Sequence, residues 1–167
     1  MYSLNVPIPS AVGALATSLG GDLGPARART RGEHTLVVKR LVGDESAAVL
    51  EARAREALRG APAFEARIAE VGVFENAASG PSPVVYLAVE SPGLEAIHDD
   101  LCSVFDTVPD VEGDDYVPHV TIARGGTPEL VERVRDAEFD PIEWTVSELV
   151  FWDAERGLQA GRLSLPN

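Results

Sequence analysis

Apolar and polar residues alternate over residues 3–8, so Leu4, Val6 and Ile8 share one face and a strand is predicted. The interval then lengthens. Val12, Leu15 and Leu19 recur at helical spacing behind Ser10, a residue suited to cap a helix start, until Gly20, Gly21 and Gly24-Pro25 interrupt the pattern. After an arginine-containing loop, residues 34–41 read as a strand rich in Val and Leu. Residues 46–59 read as a helix ended by Gly60 and Pro62, and residues 64–75 alternate as a strand. A loop rich in Gly, Ser and Pro follows over 76–83, then a nearly continuous apolar run over 84–90, the pattern of a strand buried on both faces. Ser91-Pro92 opens a helix with Leu94, Ile97, Leu101, Val104 and Phe105 on its apolar face. An acidic loop over 110–115 leads to a strand over 116–124. Thr127-Pro128 starts a fourth helix reaching about residue 137, and two strands, 142–152 and 158–165, close the chain around a turn at Glu155-Arg156-Gly157.

The order is strand, helix, strand, helix, strand, then the same again with one extra strand. Glu65 to Glu75 matches Glu143 to Asp153 position by position in residue type. His34 matches His119 at an offset of 85. Such self-similarity points to a duplicated unit about a pseudo-twofold axis, with halves at about residues 1–80 and 81–167 of a single domain. Equivalent residues of two such halves face each other across a shared groove, a common place for a ligand.

The charge narrows the partners. The chain has 167 residues, 45% hydrophobic and 25% charged, enough for one packed core. Its 27 Asp and Glu against 14 basic residues give a net charge of -13, and Lys39 is the sole lysine. A surface this acidic and this poor in lysine suits a very salty cell interior, and at ordinary salt it would repel nucleic acid. At molar salt the screening length falls to about 3 Å, so only close contacts count and a small phosphate pocket remains compatible. One cysteine, Cys102, excludes an internal disulfide framework and reads as a small core residue. Residues 1–9 lack a signal-peptide pattern, and no apolar run is long enough to span a bilayer. A soluble, cytoplasmic monomer is expected.

Chemistry is carried by histidines. His34 lies in Glu33-His34-Thr35-Leu36-Val37-Val38-Lys39, and His119 in Tyr116-Val117-Pro118-His119-Val120-Thr121-Ile122-Ala123-Arg124. Two imidazoles that titrate near neutrality suit acid/base work on a phosphodiester, one accepting a proton from water or a ribose hydroxyl and one donating to the leaving oxygen. Thr121, two residues after His119, shares its strand face and can donate to a phosphate oxygen. His98, followed by Asp99-Asp100, reads as a boundary or solvated residue, and the 110–115 loop as solvated. Lys39 and Arg124, at odd offsets from their histidines, read as rim cations. Arg27, Arg29 and Arg31 either hold an RNA chain or are solvated. Tyr116 either stacks on a base or belongs to the core or rim.

These motifs, their separation and the duplicated order resemble the two-histidine (2H) phosphoesterase superfamily, in particular the 2′-5′ RNA ligase / RNA 2′,3′-cyclic phosphodiesterase family. Its members carry two H-x-[ST]-x motifs, one in each half of a duplicated α+β fold. The second motif here fits fully. The first departs, with Leu36 two residues after His34 and Thr35 one residue after it. The resemblance implies two similar lobes, each an antiparallel-type sheet packed on helices, with a central cleft. It implies hydrolysis of 2′,3′-cyclic phosphate ends of RNA or nucleotides to 2′-phosphates, reversible in the sense of 2′-5′ ligation, without metal or cofactor. His34 and His119 would be catalytic, and Thr121, Thr35, Lys39, Arg124 and Tyr116 would bind substrate. The alternative is a module that binds RNA ends or nucleotides without turning them over.

Overall fold

The chain opens with β1 (Tyr2–Val6), whose last four residues are buried, and the computed structural model describes residues 1–30 and 32–166. Arg31 of the arginine loop lies outside the described residues. α1 (Ser10–Gly21) follows, with Pro9 rather than Ser10 at the cap and no side-chain cap bond. Within the expected loop, Arg27 and Ala28 form a short strand, β2 (Arg27–Ala28). Then come β3 (Leu36–Leu41), α2 (Ala47–Ala57), β4 (Phe64–Phe74) and β5 (Val84–Glu90). α3 (Pro92–Cys102), a 3-10 turn at Gly113–Asp115, β6 (His119–Arg124) and α4 (Pro128–Arg135) lead to β7 (Ile142–Val146), β8 (Glu148–Asp153) and β9 (Leu158–Ser164). Ser46, Ser91 and Thr127 cap their helices as their residue types predict, each hydroxyl accepting from a backbone N–H three residues on.

The strands form two antiparallel sheets, β3-β1-β8-β9 and β2-β6-β5-β4-β7. The expected strand over 142–152 is in fact two: β7 pairs with β4 in one sheet, and after Ser147 β8 pairs with β1 in the other. Duplication survives in the ladder. The triplets β3-β1-β8 and β6-β5-β4 are equivalent, so the third strand of each half pairs with the first strand of the other half. Residue-type matching at an offset of 78 holds in space: Trp152 pairs with Ser3 as Phe74 pairs with Val84. Neither sheet is built from one half alone. α1 packs on β6, α3 on β3 and β4, and α4 on β4. Leu4, Leu36, Ile68, Leu87, Leu94, Leu101, Ile122 and Leu149 are fully buried between these layers. Each is worth about 1.5–3 kcal/mol of transfer free energy. Among the described residues no helix is long and apolar enough to cross a membrane.

Both inner pairs carry a bulge at the same place. β1 and β3 skip Val38, and β5 and β6 skip Ile122. A bulge breaks the alternation of faces. Val38 and Lys39 are therefore both buried, as are Ile122 and Ala123, while Arg40 and Arg124 emerge on the face of Val37 and Thr121. The bulges align Val38 with Ile122, an offset of 84 rather than the 85 that matches the two histidines. This slip of one residue decides what the groove contains.

Candidate active site

A cavity of about 430 Å³ opens between the two sheets. β6 contributes His119, Thr121 and Arg124; the chain of β3 and the residue before it contribute Thr35, Val37 and Arg40. Two loops complete the rim, one with Asn76 to Ser79 and one with Asp110, Val111, Asp115, Tyr116 and Val117.

His119 is held on three sides. Its Nδ1 lies 2.7 Å from the Val117 carbonyl, so Nδ1–H donates and Nε2 keeps its lone pair. Phe74 and Tyr86 meet its ring in T-shaped contacts at 5.2 and 5.4 Å between centroids. Phe74 and Tyr86 are themselves stacked at 4.2 Å. Gly72, opposite Tyr86, leaves room for that ring, since a methyl group there would overlap it. Burial lowers the affinity of His119 for a proton, and Arg40, Arg124 and Arg29 lower it further against the opposing effect of the Val117 carbonyl. His119 thus enters the pocket as a neutral base with Thr121 on the same wall.

The opposite wall differs from expectation. In the repeat register set by the bulges, Thr35 stands where His119 does, Val37 where Thr121 does, and Arg40 where Arg124 does. His34 takes the place of Pro118, is 8% exposed and is absent from the cavity lining. Its Nε2 is buried without a hydrogen-bond partner among the described residues. Burial, and then the Arg29 guanidinium, push its affinity for a proton down. The structure therefore brings together Thr35, Tyr116, His119, Thr121 and Arg124, and leaves His34 outside that set.

Lys39 is corrected most clearly. It is not a rim cation but fully buried, because the bulge turns it inward. Nζ donates to Glu112 Oε1 at 2.6 Å and to the carbonyls of Arg40 and Asp106 at 2.8 Å, using all three of its protons. Glu112, within the supposedly solvated acidic loop, is 4% exposed. Arg124, by the same parity change, faces the pocket, and its Nη1 donates to the Ser79 carbonyl at 2.7 Å. His98 is buried rather than solvated, because it lies one turn from Leu94 and Leu101 on the inward stripe of α3. Its Nδ1 donates to the Val38 carbonyl at 2.7 Å, and its Nε2 accepts from Gly113 N–H at 3.0 Å. Tyr116 lines the cavity, yet one ring face is covered by His98 at 3.7 Å and its hydroxyl donates to the Val37 carbonyl. That contact holds the loop against β3. Cys102 is half-buried with Sγ 3.4 Å from His98 Nε2.

A model of the 2′-5′ RNA ligase superfamily matches residues 16–158. The chain belongs to this superfamily. The chain is accordingly of phosphoesterase or ligase type. No curated protein matches its sequence. Solved structures with the same fold include a protein of Thermus thermophilus at 19% identity and a TM-score of 0.69, covering 98% of this chain and 97% of that one. Escherichia coli LigT complexed with 3′-AMP has 18% identity and a TM-score of 0.66, covering 99% and 98% of the two chains. Usb1 of Kluyveromyces marxianus with uridine monophosphate has 11% identity and a TM-score of 0.53, covering 99% and 96%. At these identities the likeness establishes the fold.

Sequence reasoning missed Arg40 and Phe74 as parts of this superfamily member's pocket, and Tyr86 as the ring that packs behind them on His119. Arg40 could have been found: it follows Lys39 as Arg124 follows Ala123, at the same offset of 84 that aligns Leu36 with Val120. Among the described residues no group of three or more His, Cys, Asp and Glu is arranged to hold a metal ion.

Proposed function

We propose that this chain opens 2′,3′-cyclic phosphate ends of RNA or nucleotides to 2′-phosphates, with His119 as the acid/base group. The observation that carries this reading is the His119 ring, its Nδ1–H tied to the Val117 carbonyl and its Nε2 without a partner among the described residues, beside Thr121 in a pocket ringed by Arg29, Arg40 and Arg124. Thr121 would donate to a non-bridging oxygen, joined by Thr35 while His34 stays out of the pocket, and the three guanidinium groups would balance charge that grows on the phosphate in the transition state. His119 would take a proton from the attacking water, whose oxygen bonds to phosphorus as the P–O3′ bond breaks. In-line displacement places the proton donor for O3′ on the opposite side of phosphorus, where one ring cannot also stand.

His34 is proposed for that second transfer. It lies in the segment before β3, outside the ladder, so a slip of one residue there exchanges its face with that of Thr35. Its unpartnered Nε2 supports this, because a buried unpaired nitrogen costs about 1–3 kcal/mol that the exchange would release. Binding without turnover is the second reading, favoured by Thr35 lining the cavity where a second imidazole would stand.

Incubation with 2′,3′-cyclic nucleotides at high salt, followed by phosphorus NMR, separates the two. Conversion to a 2′-monoester, lost in both His119→Ala and His34→Ala, is the expected result. A bound but unchanged cyclic phosphate would favour the second reading. Full activity in His34→Ala would remove His34 from the reaction.

A further inference from the structure

The buried pair Lys39 and Glu112 lies outside the pocket, yet it bonds to Arg40, which lines the pocket, and to the segment that runs on to Asp110 and Val111 of its rim. Glu112 Oε1 accepts from Lys39 Nζ at 2.6 Å and from Val108 N–H at 2.9 Å. Oε2 accepts from Arg40 N–H at 2.9 Å and stands 3.8 Å from the Arg40 guanidinium. Lys39 also donates to the Asp106 carbonyl, so the pair ties residues 106 to 112 to β3. That loop continues through Tyr116 to Val117, whose carbonyl fixes the tautomer of His119.

Stability alone does not account for such a pair. Replacing a buried ion pair by apolar residues of similar volume is often neutral or stabilising. The other half of the duplication makes the same point: Ala123 occupies the equivalent of Lys39 and is equally buried. The bulged strand therefore folds without a charge at this place. What differs is the tether of the neighbouring arginine. Arg124 is held by the carbonyls of Ser79 and Pro81, whereas the guanidinium of Arg40 has Glu112 beside it.

We propose that Lys39 and Glu112 are positioning residues for the phosphate site, with Lys39 fixing the Glu112 carboxylate so that it aims Arg40 into the cavity. The proposal rests on the reading of this cavity as a phosphate site. A charged pair stands where the repeat keeps alanine because Arg40 is set by Glu112, whereas Arg124 is set by backbone carbonyls.

The test is a cycle of calorimetric titrations with 3′-AMP as the probe. Lys39→Met/Glu112→Gln removes both charges together and leaves no lone buried ion. It is expected to fold and to weaken binding about ten-fold, the order of one charge-assisted contact. Arg40→Gln is expected to weaken binding by a similar factor. If Glu112 acts through Arg40, the triple variant binds about as weakly as Arg40→Gln alone, because coupled residues are not additive. Wild-type affinity in Lys39→Met/Glu112→Gln, or losses that multiply in the triple variant, would overturn the proposal and leave the phosphate site standing. A wild-type chain that ignores 3′-AMP overturns the phosphate-site reading and the positioning role with it. Should the double variant fail to fold, Glu112→Asp keeps the charge and shortens its reach. Weakened 3′-AMP binding with an unchanged melting curve supports the role, and unchanged affinity refutes it.

Discussion

Exchanging two adjacent residues tests the register of the first half most directly. In the double variant His34→Thr/Thr35→His the composition is unchanged, and only the face on which each side chain stands is altered. Thr35 lines the cavity at the place equivalent to His119, and His34 does not line it. The exchange therefore sets a second imidazole opposite His119 without any movement of the chain. A correctly placed general acid or base contributes about 10²–10⁴-fold to rate. If the wild type must first slip by one residue to present His34, the variant is spared that conformational step as well. Turnover of a 2′,3′-cyclic nucleotide is therefore expected to rise in the variant, by about 10-fold or more even if Thr35 gave part of the phosphate binding. Stability changes little, since the unpartnered His34 Nε2 is removed while a small space is left around the shorter side chain. The assay is phosphorus NMR of product formation together with a thermal melt. Loss of turnover to the level of His34→Ala, in a variant that melts as the wild type does, would show that position 34 faces the phosphate and would refute the offset of 84.

The remaining predictions concern the rings around His119 and the protonation of both histidines. Gly72→Ala should push Tyr86 out of place. Overpacking of this kind costs about 1–3 kcal/mol, lowering the melting temperature by about 2–4 °C per kcal/mol, and the penalty should vanish in a Tyr86→Ala background; a melt equal to the wild type refutes the tight fit. Burial is the main cause holding both His34 and His119 below the ordinary value of 6.5. The unfolded chain therefore takes up protons first as pH falls, so stability is full above the ordinary value and is lost as pH drops through it towards the lower folded values. Urea midpoints measured across that window should fall more steeply for the wild type than for His34→Thr/His119→Asn, and equal slopes would contradict the buried, neutral placement of the two rings.

The sequence by itself determined most of the elements, β2 and the division of 142–152 excepted, because these rest on local signals: the alternation of β4, the apolar run of β5, and the hydroxyl caps of α2, α3 and α4. It also determined the duplication and the motif around His119, since residue type and spacing alone carry both. Only the tertiary structure decided which face each side chain takes. Two bulges, at Val38 and Ile122, are invisible to a period of two, yet they turn Lys39 into the core and Arg40 and Arg124 into the cavity. The break at Ser147, which sends β7 and β8 to different sheets, likewise depends on partners far away in the chain. Glu112 reads as solvated and His98 as a boundary or solvated residue because their neighbours are acidic, and they are buried because Lys39, Val38 and Gly113 lie where their polar atoms find partners. Local patterns specify conformation, whereas the side of a strand and the fate of a buried charge are settled by long-range pairing.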